Sequence, residues 1–126
     1  MGNIGFDFVE PNIVSVTLQG KIDEAQITAL VDGFEPLIKD TKVWGFQADM
    51  RDIAGATPEA RRIAAQRLSG LPKMLVAVVT VGFAQRIIAK LVLTAIQLLK
   101  PGHVSVKYFN DMATARDWLR NKLQQE

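Results

Sequence analysis

Few side chains in this sequence are equipped for covalent chemistry. Among its 126 residues there is one histidine, His103, and no cysteine, so disulfides, thiolate metal sites and thiol nucleophiles are excluded. Asp49 and Asp52 in DMRD could act as a carboxylate pair for general acid–base work. Neither a histidine nor metal-ligand spacing accompanies them, and turn and capping roles account for both more simply. TVGFAQR, residues 80–86, lacks the GxxxxGKS/T pattern of a phosphate loop. Anion recognition is better supported. Arg61 and Arg62 fall early in one helical pattern and Arg86 opens another, although helix amino termini carry partial positive charge and disfavour cations. An anion shared by exposed amides and guanidinium groups resolves that conflict, and Arg51 is placed to join. The competing reading pairs these arginines with Glu59, Asp49 or Asp52, in exposed ion pairs worth little.

GFDFVE and IVSVTLQG, separated by PN, predict a pair of strands. Asp23 with Gln26 three residues later is a capping-box signature for a helix through about Ile38, and KVWGFQAD then predicts a strand. Thr57 caps a second helix with Pro58 at its first position, and Gly70 and Pro72 end it. MLVAVVTV is a continuous apolar run, as a strand covered on both faces requires. A third helix follows and is stopped by KPG; HVSVKYF alternates as the last strand. Asn110 or Asp111 caps a final helix with the core stripe Met112, Ala115, Trp118, Leu119 and Leu123. One strand and four βα units predict a single α/β domain, residues 1–126, with a five-stranded, mostly parallel sheet and four helices. In such sheets ligands gather at the carboxyl ends of the strands, here GKID, DMRDIAGAT, TVGFAQ and FND.

The third helix is more apolar than docking on a core demands. On a helical projection Arg86, Lys90, Thr94 and Gln97 form a narrow polar strip, and the apolar arc opposite is roughly twice the ~100° that one packed face needs. The four polar residues, in register, also argue against a membrane span, which needs ~20 predominantly apolar residues. The centre of the arc, Ile88, Val92, Ala95 and Leu99, is expected in the core. Ile87, Leu93, Ile96 and Leu98 at its margins are expected to meet a ligand or partner. The second helix offers mostly small residues to its buried side, with Ala60, Ile63, Ala64 and Leu68 as the candidates, and is expected to open more readily than the third.

Charge is segregated along the chain. Residues 1–59 hold ten acids against four bases, whereas residues 60–110 hold eight bases and no acid. That asymmetry suggests an anionic partner. The basic half lacks interleaved exposed aromatic residues, so nucleic acid is not expected. MGNIGFDFVEPN has neither the basic n-region nor the apolar h-region of a signal peptide, and a cytoplasmic protein, peripheral at most to the inner face of a membrane, is the expectation.

FQADMRDIAGATPEA and VKYFNDMATARDWL, together with the element order, resemble the STAS-like fold and its bacterial SpoIIAA-like branch, which is compared with lipid-binding CRAL-TRIO domains. The resemblance implies a movable pair of helices, the second and third, over an apolar cavity, with ligand or membrane association. The anti-anti-sigma branch would carry a DSSG phosphorylation motif where this chain has ATPEA, so its switch residue does not carry over. Taken together, a non-enzymatic module without cofactor or metal is expected. It would bind an apolar or anionic amphipathic molecule, a lipid or a membrane surface through Arg51, Arg61, Arg62, Ile63, Phe83, Arg86, Ile87, Lys90, Leu93 and Ile96. The alternative is a protein-interaction module whose third helix docks a partner or forms a homodimer.

Overall fold

The computed structural model describes residues 2–126. Its elements are β1 (Asn3–Val9), β2 (Ile13–Ile22), α1 (Glu24–Ile38), β3 (Val43–Ala56), α2 (Pro58–Ser69), β4 (Lys73–Val79), α3 (Phe83–Leu99), β5 (Val104–Phe109) and α4 (Met112–Gln125). The strands lie in chain order across one sheet, β1 antiparallel to β2 and every later pair parallel. Three successive crossovers that step the same way and share one hand leave their helices on one face. Accordingly α1, α2 and α3 pack on one side, and α4 alone covers the other.

The sequence accounts for most of this. Asp23 and Gln26 cap α1 reciprocally, with N···O distances of 2.9 and 3.0 Å. The Thr57 hydroxyl accepts the Ala60 N–H at 3.0 Å, and Asp111 accepts that of Thr114 at 2.8 Å. Each cap satisfies an amide that the first helical turn leaves free. Alternate residues of β4 serve the two layers: Met74, Val76 and Val78 face the three helices, while Leu75, Ala77 and Val79 face α4. Phe34, Trp44 and Phe46 form the aromatic centre of the larger core, with centroids 5.5 to 5.9 Å apart. Gly33 lets α1 settle onto β1, because a Cβ there would lie 2.8 Å from the Phe6 ring. On the other face the wholly buried Gln47 amide donates to the Met112 carbonyl at 2.9 Å and accepts from Arg116 at 2.6 Å, tying α4 to the sheet.

Two expectations are corrected. The strand expected over KVWGFQAD does not stop at Asp49: β3 continues to Ala56. Its pairing with β2 slips twice, from Thr17↔Asp49 to Gln19↔Asp52 and from Gly20↔Ile53 to Lys21↔Gly55, each time with an extra residue on β3. Such bulges break the period-two alternation by which a strand is read, so Met50 and Ile53, three apart, are both buried in the three-helix core. The second correction is the rotation of α3. Ala89 and Ile96 are buried, and Ile88, Val92, Leu93 and Ala95 pack against the core beside them, whereas Leu99 is 58% exposed. The inward direction is therefore turned toward Ala89 and Ile96. A helix apolar around most of its circumference does not specify its own phase, and contact with α2 as well as with β3 and β5 sets it.

Candidate functional site

Of the arginines expected to share an anion, Arg51, Arg61 and Arg86 each meet a different neighbour. Arg51 meets Asp49 through two hydrogen bonds of 2.9 Å, and this partner holds the Asp49 carboxyl below its ordinary range. Arg61 donates to the Ala56 carbonyl at 3.1 Å, and Arg62 is exposed. The Arg86 guanidinium lies 5.3 Å from the centroid of the Tyr108 ring, a cation–π distance. Asp52 is exposed on the part of β3 that runs past its pairing with β4 and stays paired with β2. His103 precedes β5 at the opposite end of the sheet from Asp49, is 4% exposed, and lies 3.0 Å from the Leu68 carbonyl through Nε2. Burial, aided by Lys100, holds its pKa below the ordinary value against the effect of that hydrogen bond. Among the described residues no group of three or more His, Asp or Glu is disposed to hold a metal ion.

Beneath the three helices lies a cavity of about 90 Å³, lined by side chains of β2, β3, β4, α1, α2 and α3, with Arg61 as the one charged residue in its wall among the described residues. Met50, Ile53 and Ala56 of extended β3 contribute to it, as do Ile88, Val92 and Leu93 of α3. Its size decides what it takes in this conformation, because pockets for drug-sized ligands span roughly 300–1,000 Å³. An acyl chain needs α3 or α2 to move outward. Ile63 is half-buried and outside the lining.

The second feature is on the surface. Phe83, Ile87, Leu91 and Leu98 are exposed by 78, 44, 50 and 79% and follow one another along the outward side of α3. Thus α3 has two apolar stripes, one docked and one facing solvent. Of the four marginal residues expected at a contact surface, Ile87 and Leu98 lie on the outward stripe. Ile96 is wholly buried, following the rotated phase of the helix, whereas Leu93 packs against the core and lines both the cavity and the groove beside β5. Beside the outward stripe, a groove between α3 and β5 is lined by Phe83, Arg86, Ile87, Lys90 and Val106 among others. Leu91 and Val106 were missed as candidates. The four-residue step from Ile87 to Leu91 could have shown the first, and the free edge of β5 becomes visible only once strand order is known. The amino end of α3 has no side-chain cap. Gln85 instead donates from Nε2 to the Arg51 carbonyl at 3.2 Å, and its buried Oε1 has no hydrogen-bond partner among the described residues.

Among the described residues no helix is long and apolar enough to cross a membrane. No curated protein matches the chain, but solved structures do. An uncharacterized Shewanella loihica PV-4 protein with a SpoIIAA-like fold superposes with a TM-score of 0.66 at 19% identity, over 94% of this chain and 93% of that one. An anti-sigma factor antagonist from Mycobacterium paratuberculosis gives 0.59 at 16%, over 95% of each chain. The anti-sigma factor antagonist SpoIIAA in its unphosphorylated form gives 0.64 at 11%, over 94% and 98%. These likenesses concern the fold, which is a five-stranded α/β domain of SpoIIAA-like architecture. The SpoIIAA-like family model matches residues 13–120, from the first residue of β2 into α4, and the chain belongs to that family.

Proposed function

We propose that this protein is a non-catalytic interaction module that docks an acidic protein partner on the outward face of α3. The observation that carries the reading is the exposed row Phe83, Ile87, Leu91 and Leu98 on a segment that contains Arg86 and Lys90 and no acid. Four large apolar side chains in one row form a patch of the kind that marks interaction surfaces. The neighbouring cations select the sign of the partner. They also disfavour a symmetric pairing of two α3 helices, which would bring like charges together. Two relatives in fold are named as anti-sigma factor antagonists, proteins that by that description act against another protein, and this supports docking here. The Thr57 hydroxyl is occupied as a helix cap. The test is a photo-crosslinking side chain at position 87 in cells producing the full chain. A defined polypeptide adduct is expected, lost when Arg86→Glu and Lys90→Glu are added. Adducts to lipid alone, or none, would sink the reading.

A second reading rests on the cavity: an anionic amphiphile whose chain enters beneath α3 while its head meets Arg61. It needs helix motion, given the 90 Å³ available. Native mass spectrometry and co-sedimentation with phosphatidylglycerol vesicles test it. Retained lipid that disappears in Arg61→Glu supports it, and neither retention nor salt-sensitive sedimentation counts against it.

A further inference from the structure

β5 ends the sheet, and its outer edge lies beside the exposed face of α3. In a parallel ladder, successive residues turn their amide and carbonyl groups alternately to one neighbour and the other. Met74 donates to the His103 carbonyl and Thr80 to that of Phe109. Residues 103, 105, 107 and 109 therefore face β4, and Val104, Val106 and Tyr108 face outward. The Val104 carbonyl accepts the Gln97 amide at 3.3 Å. The N–H and C=O groups of Val106 and Tyr108 remain directed away from the sheet, with no further strand beside them among the described residues.

We propose that the partner segment docked at α3 adds to β5 as a sixth strand, and that it is an acidic stretch with apolar residues at every second position. This rests on the docking reading of α3 and names the contact. Strand addition supplies main-chain hydrogen bonds for affinity and lets alternate side chains be read by the surface beside the edge. Here alternate side chains fall into the groove between α3 and β5, where Phe83, Ile87 and Val106 offer apolar contact with Arg86 and Lys90 at its side. The intervening side chains emerge on the opposite face, where Lys107 is exposed. Cations border both faces, and α3 and β5 themselves carry no acid. The same Lys107 argues against a second copy as occupant, since like charges brought together across paired strands are destabilising and edge lysines discourage self-pairing.

The test uses the intact protein and a fluorescein-labelled octapeptide of alternating glutamate and valine, followed by anisotropy at low and high salt. Three results are expected: binding that weakens with salt, little binding of an alternating lysine–valine peptide, and affinity about tenfold or more lower when alternate peptide nitrogens are methylated. Methylation removes strand hydrogen bonds without touching the protein. Val106→Pro removes a donor on the protein side at an edge position that tolerates proline and should also abolish binding. Slower amide exchange at Val106 and Tyr108 on peptide addition gives the same information without a substitution. Absence of binding, equal binding of the methylated or lysine peptide, or a dimer paired through β5 overturns the proposal. Crosslinks from position 87 that persist without peptide binding would leave docking standing and remove strand addition; loss of both would remove both.

Discussion

At the scale of single residues, His103 is a structural histidine whose environment makes stability depend on pH. It is buried against the end of α2, with Nε2 at 3.0 Å from the Leu68 carbonyl, so the neutral ring with its proton on Nε2 fits the site. Burial holds its pKa below the ordinary value. The unfolded chain therefore takes up a proton near pH 6.5 that the folded chain refuses until lower pH. Stability is expected to fall as the pH is lowered through that range, and to stop falling on this account below the folded pKa. Denaturant melts at pH 7, 6 and 5 check this: the native chain should lose stability that His103→Gln does not, and parallel losses would refute it. Asp49 and Asp111 are shifted downward by their hydrogen bonds, chiefly from Arg51 and from the Thr114 amide. Their loss of stability belongs to a more acidic range, below the ordinary carboxylate values. A second prediction compares Ile96, fully buried, with Leu99, 58% exposed. Ile96→Ala should cost about 2–5 kcal/mol as a core truncation, and Leu99→Ala about 0.5 kcal/mol. Equal costs in urea melts would show that the inward face of α3 is placed wrongly.

At the scale of elements, α2 has interactions at both its ends that its alanine-rich face does not announce, and they reverse the expected order of opening. Thr57 caps it, Pro58 and Glu59 open it, and Ala60, Ala64, Ala65 and Leu68 are buried. Arg67 adds a clamp to α1, its Nη2 lying 2.7 Å from Asp32 and 3.0 Å from Glu35. α3 has no side-chain cap, no acid in its first turn, no base in its last, and two buried residues. Hydrogen exchange is therefore expected to be faster across residues 86–99 than across 61–69, and Arg67→Ala should narrow the gap by loosening α2. Slower exchange in α3 would contradict this and also weaken any route into the cavity that depends on its movement. Elements announced by local chemistry were legible in the sequence: the caps at Asp23, Thr57 and Asp111, the apolar run of β4, and the stripe of α4 through Ala115 and Leu119. The extension of β3 was hidden because bulges spoil alternation, and the phase of α3 because both of its apolar stripes look alike until α2 is in place. For the same reason Ile87 was found as a surface candidate while Ile96 was misplaced, and the scatter of the arginines among Asp49, Ala56 and Tyr108 depends on tertiary geometry that spacing does not encode.

At the scale of the whole molecule, strand order turns a property of the sequence into one of the surface. Because β1 to β5 lie across the sheet in chain order, the acid-rich first half of the chain and the acid-free stretch 60–110 lie toward opposite edges of the sheet and meet where Arg67 reaches Asp32 and Glu35. A shuffled strand order would have mixed them. A net charge of +2 then understates the attraction that the α3–β5 side exerts on an anionic surface, since the nearer charges dominate once separation exceeds a Debye length of about 8–10 Å. Two variants of identical net charge separate the effects. Arg86→Glu with Lys90→Glu alters the α3–β5 side, whereas Lys21→Glu with Lys39→Glu makes the same formal change at exposed positions in the acid-rich half. On a sulfonate resin at pH 7 the first variant is expected to lose retention and the second to keep much of it, because the molecule presents its basic side to the matrix. Equal elution of the two would mean that net charge alone governs approach, and the proposed docking on α3 would then have to draw its selectivity from the apolar row.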